Sequence, residues 1–185
     1  MTSDPGPSGG GPATVRRADT GGVTVRRASA ADAADLCALS LRAIRQSAAT
    51  HYDAAQLEAW AGARSIPQHR TLIDHTLTLV AEHDGAVAGF ASVALEPWTK
   101  LERGEVDQLF VDPAHGGRGV ARALLTAVDE AAAGHGLDAL VTHASWRAAP
   151  VFERHGYTRE EVETVHLDGQ VLTRVRMRRR RPSVG

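Results

Sequence analysis

The stretch from Val106 to Leu125 constrains this chain most. A strand-forming run, Val106-Asp107-Gln108-Leu109-Phe110-Val111, is halted at Asp112-Pro113, and Gly116-Gly117-Arg118-Gly119 then leads into an apolar helical pattern through Val120, Leu124 and Leu125. A glycine-rich turn between a strand and a helix start presents backbone N–H groups that have no intrahelical partner, at the positive end of the helix dipole. Such a turn suits a phosphate or diphosphate. Gly116, Gly117 and Gly119 let the backbone approach an anion closely, and Arg118 can add charge. A dinucleotide fingerprint fits badly, because Arg122 stands where its third glycine belongs and no acidic residue closes a following strand at the expected interval.

Around this unit the remaining elements read in order. Residues 1–22, rich in Gly, Pro, Ser and Thr, are expected to be a disordered leader, residues 23–178 one folded domain, and residues 179–185 a basic tail. Thr14-Val15-Arg16-Arg17-Ala18 recurs at residues 24–28, and only the second copy leads into structured sequence, so it is taken as the first strand. Ser29 and Asp32 open a helix carrying Cys37, Leu41, Ile44 and Ala48 on one face; further helices begin near Asp53 and Pro67. Strands are expected at 76–83 and 86–95 around Asp84-Gly85, at 105–112, at 137–143, and at 157–167 and 171–177 around Asp168-Gly169. Helices at 117–133 and 148–155 complete the order, and the strand–helix–strand unit at 105–143 calls for a crossover within a mixed sheet.

Composition removes several classes of function. The 185 residues suffice for one core, and with 43% hydrophobic and 23% charged residues the chain reads as an ordinary globular protein with no membrane span and no secretory signal, expected in the cytoplasm. Cys37 is the one cysteine, so neither an internal disulfide nor a cysteine-rich zinc site can form. No metal-ligand spacing is found among the histidines. A net charge of -1 gives no general field for nucleic acid, and the arginines from 174 to 181 read as a solvated tail. Lys100, the sole lysine, lies in neither a phosphate-loop nor a Schiff-base context.

The strand ending Val-Asp-Pro, followed by Gly-x-Gly-x-Ala and an Ala-Leu-Leu helix, resembles the coenzyme A signature of the GNAT acetyltransferases. That family's pattern, Gln/Arg-x-x-Gly-x-Gly/Ala, is met by Gly119, Val120 and Ala121 after Arg118, with Gly116 where Gln or Arg is usual. A second family motif, Ala-x-x-Leu-Tyr-x-x-x-Gly-Phe, is similar to Ala148 through Tyr157. A branch of small bacterial members shares His51-Tyr52 and Ala59-Trp60-Ala61. The resemblance spans roughly residues 23 to 178. It implies an α/β (α+β) fold with a mixed, mainly antiparallel sheet of about seven strands, splayed at strands 4 and 5 and flanked by helices. It also implies acetyl-CoA as cosubstrate, an amine acceptor and a homodimer as one open assembly. Leu109, Val111, Gly116, Gly117, Arg118, Gly119, Val120, Ala121, Ser145 and Phe152 would then line the coenzyme A site.

Acetyl transfer to an amine requires the amine to lose a proton and the leaving thiolate to gain one. Strand alternation puts Glu105, Asp107, Leu109 and Val111 on one face and Val106, Gln108 and Phe110 on the other, so two carboxylates are candidate bases. The resemblance favours Asp107 by the closer branch and Glu105 by histone-type members. The family's usual acid, a tyrosine, is replaced by Phe152, leaving Tyr52 or solvent; Tyr157 is expected to pack in the core. Ser145 stands where an Asn often contacts the pantetheine arm. His51, beside Tyr52, and His143, at the end of the fifth strand, could line the pocket or assist proton transfer, or serve as structural histidines. A non-catalytic acyl-coenzyme A sensor on the same fold is the competing function.

Overall fold

The structure, a computed structural model, describes residues 22–180. The first Thr-Val-Arg-Arg copy, the expected leader up to residue 21 and the last five residues lie outside that range.

Strand β1 (Val23–Arg27) leads to Ser29, whose amide and hydroxyl both donate to Asp32 Oδ2, at 2.7 and 3.0 Å. This closes the start of helix α1 (Ala33–Arg42), which runs on through a π-type turn at Ala43–Ser47. Helices α2 (Ala54–Gly62) and α3 (Ile66–His75) follow, begun by Asp53 and Ser65, whose side chains accept from the amides of Gln56 and Gln68.

Strands β2 (Leu77–His83) and β3 (Ala86–Val93) pair antiparallel around Asp84-Gly85, whose φ values of 53° and 77° are those of a type I′ turn. Strand β4 (Glu105–Val111), helix α4 (Val120–Gly134) and strand β5 (Ala139–Ala144) form the crossover. A short helix, α5 (Ala149–Arg154), and the hairpin of β6 (Thr158–Leu167) and β7 (Gln170–Arg180) complete one sheet of order β1-β2-β3-β4-β5-β7-β6. All neighbours are antiparallel except β4 and β5.

Alternation along the strands feeds two cores. Leu79, Ala91 and Val93 face one, with Val120, Leu124 and Val128 of α4; Val80, Phe90 and Phe110 face the other, with Leu36, Leu39 and Ile44 of α1. Helix α4 lies close on the sheet at Gly89, where a Cβ would come within 2.7 Å of Val120 Cγ1 and 2.8 Å of the Phe110 carbonyl. Among the described residues no helix is long and apolar enough to cross a membrane.

The arginine run requires a correction to the expected boundary at 178. Arg174 through Arg180 belong to β7, and Arg174, Arg176, Arg178 and Arg179 are ion-paired rather than part of a solvated tail, while Arg181 lies outside the described residues. Arg174 meets Glu163 at 2.8 Å, Arg176 meets Glu102 at 3.0 Å, Arg178 meets Glu160 at 2.7 Å, and Arg179 meets Asp129. A basic strand is tolerated because the acidic residues of β6 lie across the register from it.

Candidate active site at the β4–β5 splay

The parallel strands β4 and β5 pair only at Glu105 with Val141 and Val106 with Thr142. Thr142 Oγ1 donates to the Val106 carbonyl at 2.8 Å and closes the base of the opening. Beyond it the strands diverge, and their facing peptide groups have no strand partner across the gap. Such an edge can pair with an extended ligand.

Two cavities meet in the gap. One of about 350 Å³ is lined by Tyr52, Trp60, Arg64, Asp107, His143 and Arg174, among others. The second, of about 200 Å³, reaches Val111, Asp112, Gly116, Ala121 and Arg147. Trp60, Leu109, Phe110, Ser145 and Ala148 border both, so the two are halves of one groove through the sheet.

At the second half, Gly119 precedes α4 with φ 81°, a left-handed conformation that side chains rarely adopt, and the space beside it is open. Gly116, Gly117, Arg118 and Gly119 are all exposed. The turn before them is fixed by Asp112, which accepts from the Ala114 amide at 3.0 Å and from Arg42 Nη2 at 2.5 Å. Burial pushes the Asp112 carboxyl up, but Arg42 and the Ala114 amide outweigh it and hold the group below its ordinary value. An open glycine turn at the N-terminus of a 15-residue helix meets the requirements of a diphosphate cradle.

The match with known sequences follows this geometry: the model of the acetyltransferase (GNAT) family covers residues 40–157. The chain belongs to the GNAT acetyltransferase family. An uncharacterized N-acetyltransferase of Escherichia coli strain K12, YafP, is 31% identical over 158 residues, 84% of this chain and 95% of the relative. A GCN5-related N-acetyltransferase from Rhodopseudomonas palustris superposes with a TM-score of 0.77 at 30% identity, over 85% of this chain and 95% of that one. YncA of Salmonella typhimurium, solved with its cofactor acetyl-CoA, shares the fold with a TM-score of 0.63 at 22% identity, covering 88% and 99%.

Within this GNAT fold the expected site residues separate. Asp107 lines the larger cavity and is exposed, whereas Glu105 is buried and lines neither half. The expectation that these carboxylates share a face with Leu109 and Val111 needs correction, and the cause is a β-bulge. Ser92 pairs with Gln108 and Val93 with Val106, so Asp107 is the extra residue on β4. Val106 is thereby turned into the core that Leu109 and Val111 pack against, away from Phe110. Burial raises the Glu105 carboxyl, while the Glu102 amide, 2.9 Å from Oε2, and His143 oppose the shift.

Tyr52 and His51 also part company. Tyr52 is buried in the wall of the larger cavity; its hydroxyl donates to the Thr173 carbonyl at 2.9 Å and accepts from the Trp146 amide at 3.1 Å. Burial raises the phenol, with the Trp146 amide opposing, so it stays protonated at neutral pH. His51 is exposed, bonds to Thr50 at 2.8 Å, and lines neither half; the structure does not bring it to the groove. Phe152 lines the larger cavity and packs edge-on to Tyr157 at 5.0 Å. Tyr157 is buried, as expected for a core residue. Ser145 borders both halves while its Oγ accepts from the Ala148 amide at 3.2 Å.

His143 lines the larger cavity with Nδ1 2.7 Å from Glu163 and Nε2 3.8 Å from Glu105. Glu102, Glu105 and His143 bring ligand atoms within 4.8 Å of one another, the arrangement nearest to a metal site among the described residues. Each has a protein partner instead: Arg176 for Glu102, the Glu102 amide for Glu105, and Glu163 for His143. Sequence reading missed Arg64, Glu163 and the Arg42–Asp112 pair. Arg64 follows the end of α2 with no periodic signal, and the other pairings join residues far apart in the chain.

Proposed function

We propose that this chain is an N-acetyltransferase that moves the acetyl group of acetyl-CoA directly to a primary amine of a small acceptor. The observation that carries the reading is the continuous groove, with an anion cradle at one end and the Asp107 carboxylate lining the cavity at the other. Acetyl-CoA supplies a thioester, an acyl donor poised for attack by nitrogen.

The chain's residues supply position and proton transfer. The α4 amides and the Gly116–Gly119 turn hold the diphosphate, and the free edges of β4 and β5 align the pantetheine arm with backbone hydrogen bonds. Asp107 takes a proton from the acceptor ammonium, directly or through water, and the neutral amine then attacks, forming the N–C bond as the C–S bond breaks. The departing thiolate takes its proton from solvent, or from Tyr52 if the Tyr52–Thr173 bond opens. Dependence on an intracellular cosubstrate carries with it a cytoplasmic location.

A second reading is favoured by one observation: Phe152 has no proton to give, and the proton of Tyr52 is already committed. In it the chain binds acyl-coenzyme A as a sensor. Release of free coenzyme A thiol across a panel of amines tests both readings. Amine-dependent release is expected of the enzyme, and binding without release would establish the sensor.

A further inference from the structure

Arg64 is the one arginine of the larger cavity for which no hydrogen-bond or ion-pair partner is seen among the described residues. Arg174, on the same wall, donates to Glu163 at 2.8 Å, and His143 shares that carboxylate at 2.7 Å. Arg64 Nε is buried with no hydrogen-bond partner, and its guanidinium lies 5.4 Å from the centre of the Phe110 ring. Burial pushes its pKa down, and Asp107 and Cys37 raise it only in part. Arginine nonetheless stays charged at any physiological pH. A charged donor turned away from water is costly unless something answers it.

Asp107 does not answer it by contact: it interacts with Arg64 through space, and the two make no ion pair. With Arg174 paired to Glu163, the larger cavity presents the Arg64 guanidinium and the Asp107 carboxylate, not in contact, between the walls of Trp60, Phe110 and Leu172. A ligand complementary to that pair carries both charges. We infer that the acceptor is a small amino acid or related amino-carboxylate, whose carboxylate is bound by Arg64 while its amine lies toward Asp107. This rests on the transferase reading and names its substrate class. An arginine fork is suited to a carboxylate because two parallel N–H groups can meet its two oxygens. The volume of about 350 Å³ suits a molecule of that size rather than a folded protein surface.

The test compares α- and ω-amino acids with the matched amines that lack the carboxylate, using thiol release by the full chain. The wild type is expected to prefer the amino acids in kcat/KM. Arg64→Met should reduce that preference roughly ten- to a hundred-fold, the scale of losing a hydrogen bond to a charged group, and Arg64→Lys should restore part of it. A preference near unity in the wild type, or one unchanged in Arg64→Met, overturns the inference. If no amine of either set is acetylated, the transferase reading fails, and calorimetric binding of the same amino acids with coenzyme A present decides the anion site separately. Binding lost in Arg64→Met supports the site, and equal binding in both proteins overturns it.

Discussion

Arg42, the last residue of α1, holds Asp112 through two charged hydrogen bonds to the same oxygen, Nη2 at 2.5 Å and Nε at 3.0 Å from Oδ2. The other oxygen caps the turn after β4, so one carboxylate joins the first helix to the start of the glycine turn. Arg42→Met should weaken acetyl-CoA binding by about 1 kcal/mol, the modest scale expected for a half-exposed pair. Asp112→Asn should cost more, because it also weakens the cap on Ala114. Calorimetric titration checks both; unchanged affinity would show that the turn holds its shape without them.

Asp107 lines the groove while Glu105 is buried outside it, and their substitutions should differ accordingly. Asp107→Asn is expected to lower turnover roughly a hundred-fold while sparing acetyl-CoA affinity, and the loss should shrink at high pH as more amine is already neutral. Glu105→Gln should stay within a few-fold of wild type. The reverse ranking would assign the base to Glu105.

Two glycines make opposite predictions. Gly119→Glu places a carboxylate at the positive end of α4 in open space, so it should abolish acetyl-CoA binding at a stability cost of about 1–2 kcal/mol for the left-handed backbone. Gly89→Ala meets Val120 and a fixed carbonyl, so it should lower stability by about 1–3 kcal/mol or more. Urea unfolding alongside ligand titration separates binding loss from misfolding.

His69, buried in α3, should make stability fall in mild acid. Burial lowers its pKa in the fold, with Arg64 adding to the effect and its bond to the Ser65 carbonyl, at 2.9 Å, opposing it. Below the ordinary value of 6.5 the unfolded chain takes up a proton that the folded one refuses. Stability should therefore decline as pH drops below that point, by at most about 1.4 kcal/mol per pH unit, and level off once the folded histidine also protonates. Urea midpoints at pH 7.5 and 5.5 should differ less in His69→Gln than in the wild type.

The order of elements was open to sequence reading because its signals are local. Asp84-Gly85 and Asp168-Gly169 adopt the positive φ that a two-residue hairpin demands, and Ser29 with Asp32 closes a helix start through atoms three residues apart. The glycine turn before α4 was legible for the same reason, since a left-handed residue ahead of a helix is met almost only by glycine. The bulge at Asp107 was not, because the extra residue is defined by its register against β3 and changes nothing in the sequence of β4. Nor could spacing show that His51 points to solvent while its neighbour Tyr52 reaches Thr173, 121 positions along the chain. Arg64 and Asp107 acquire their relation only when the loop after α2 closes over the splayed strands. A charge becomes a binding feature when folding removes the water around it, and that is a property of the assembled cavity.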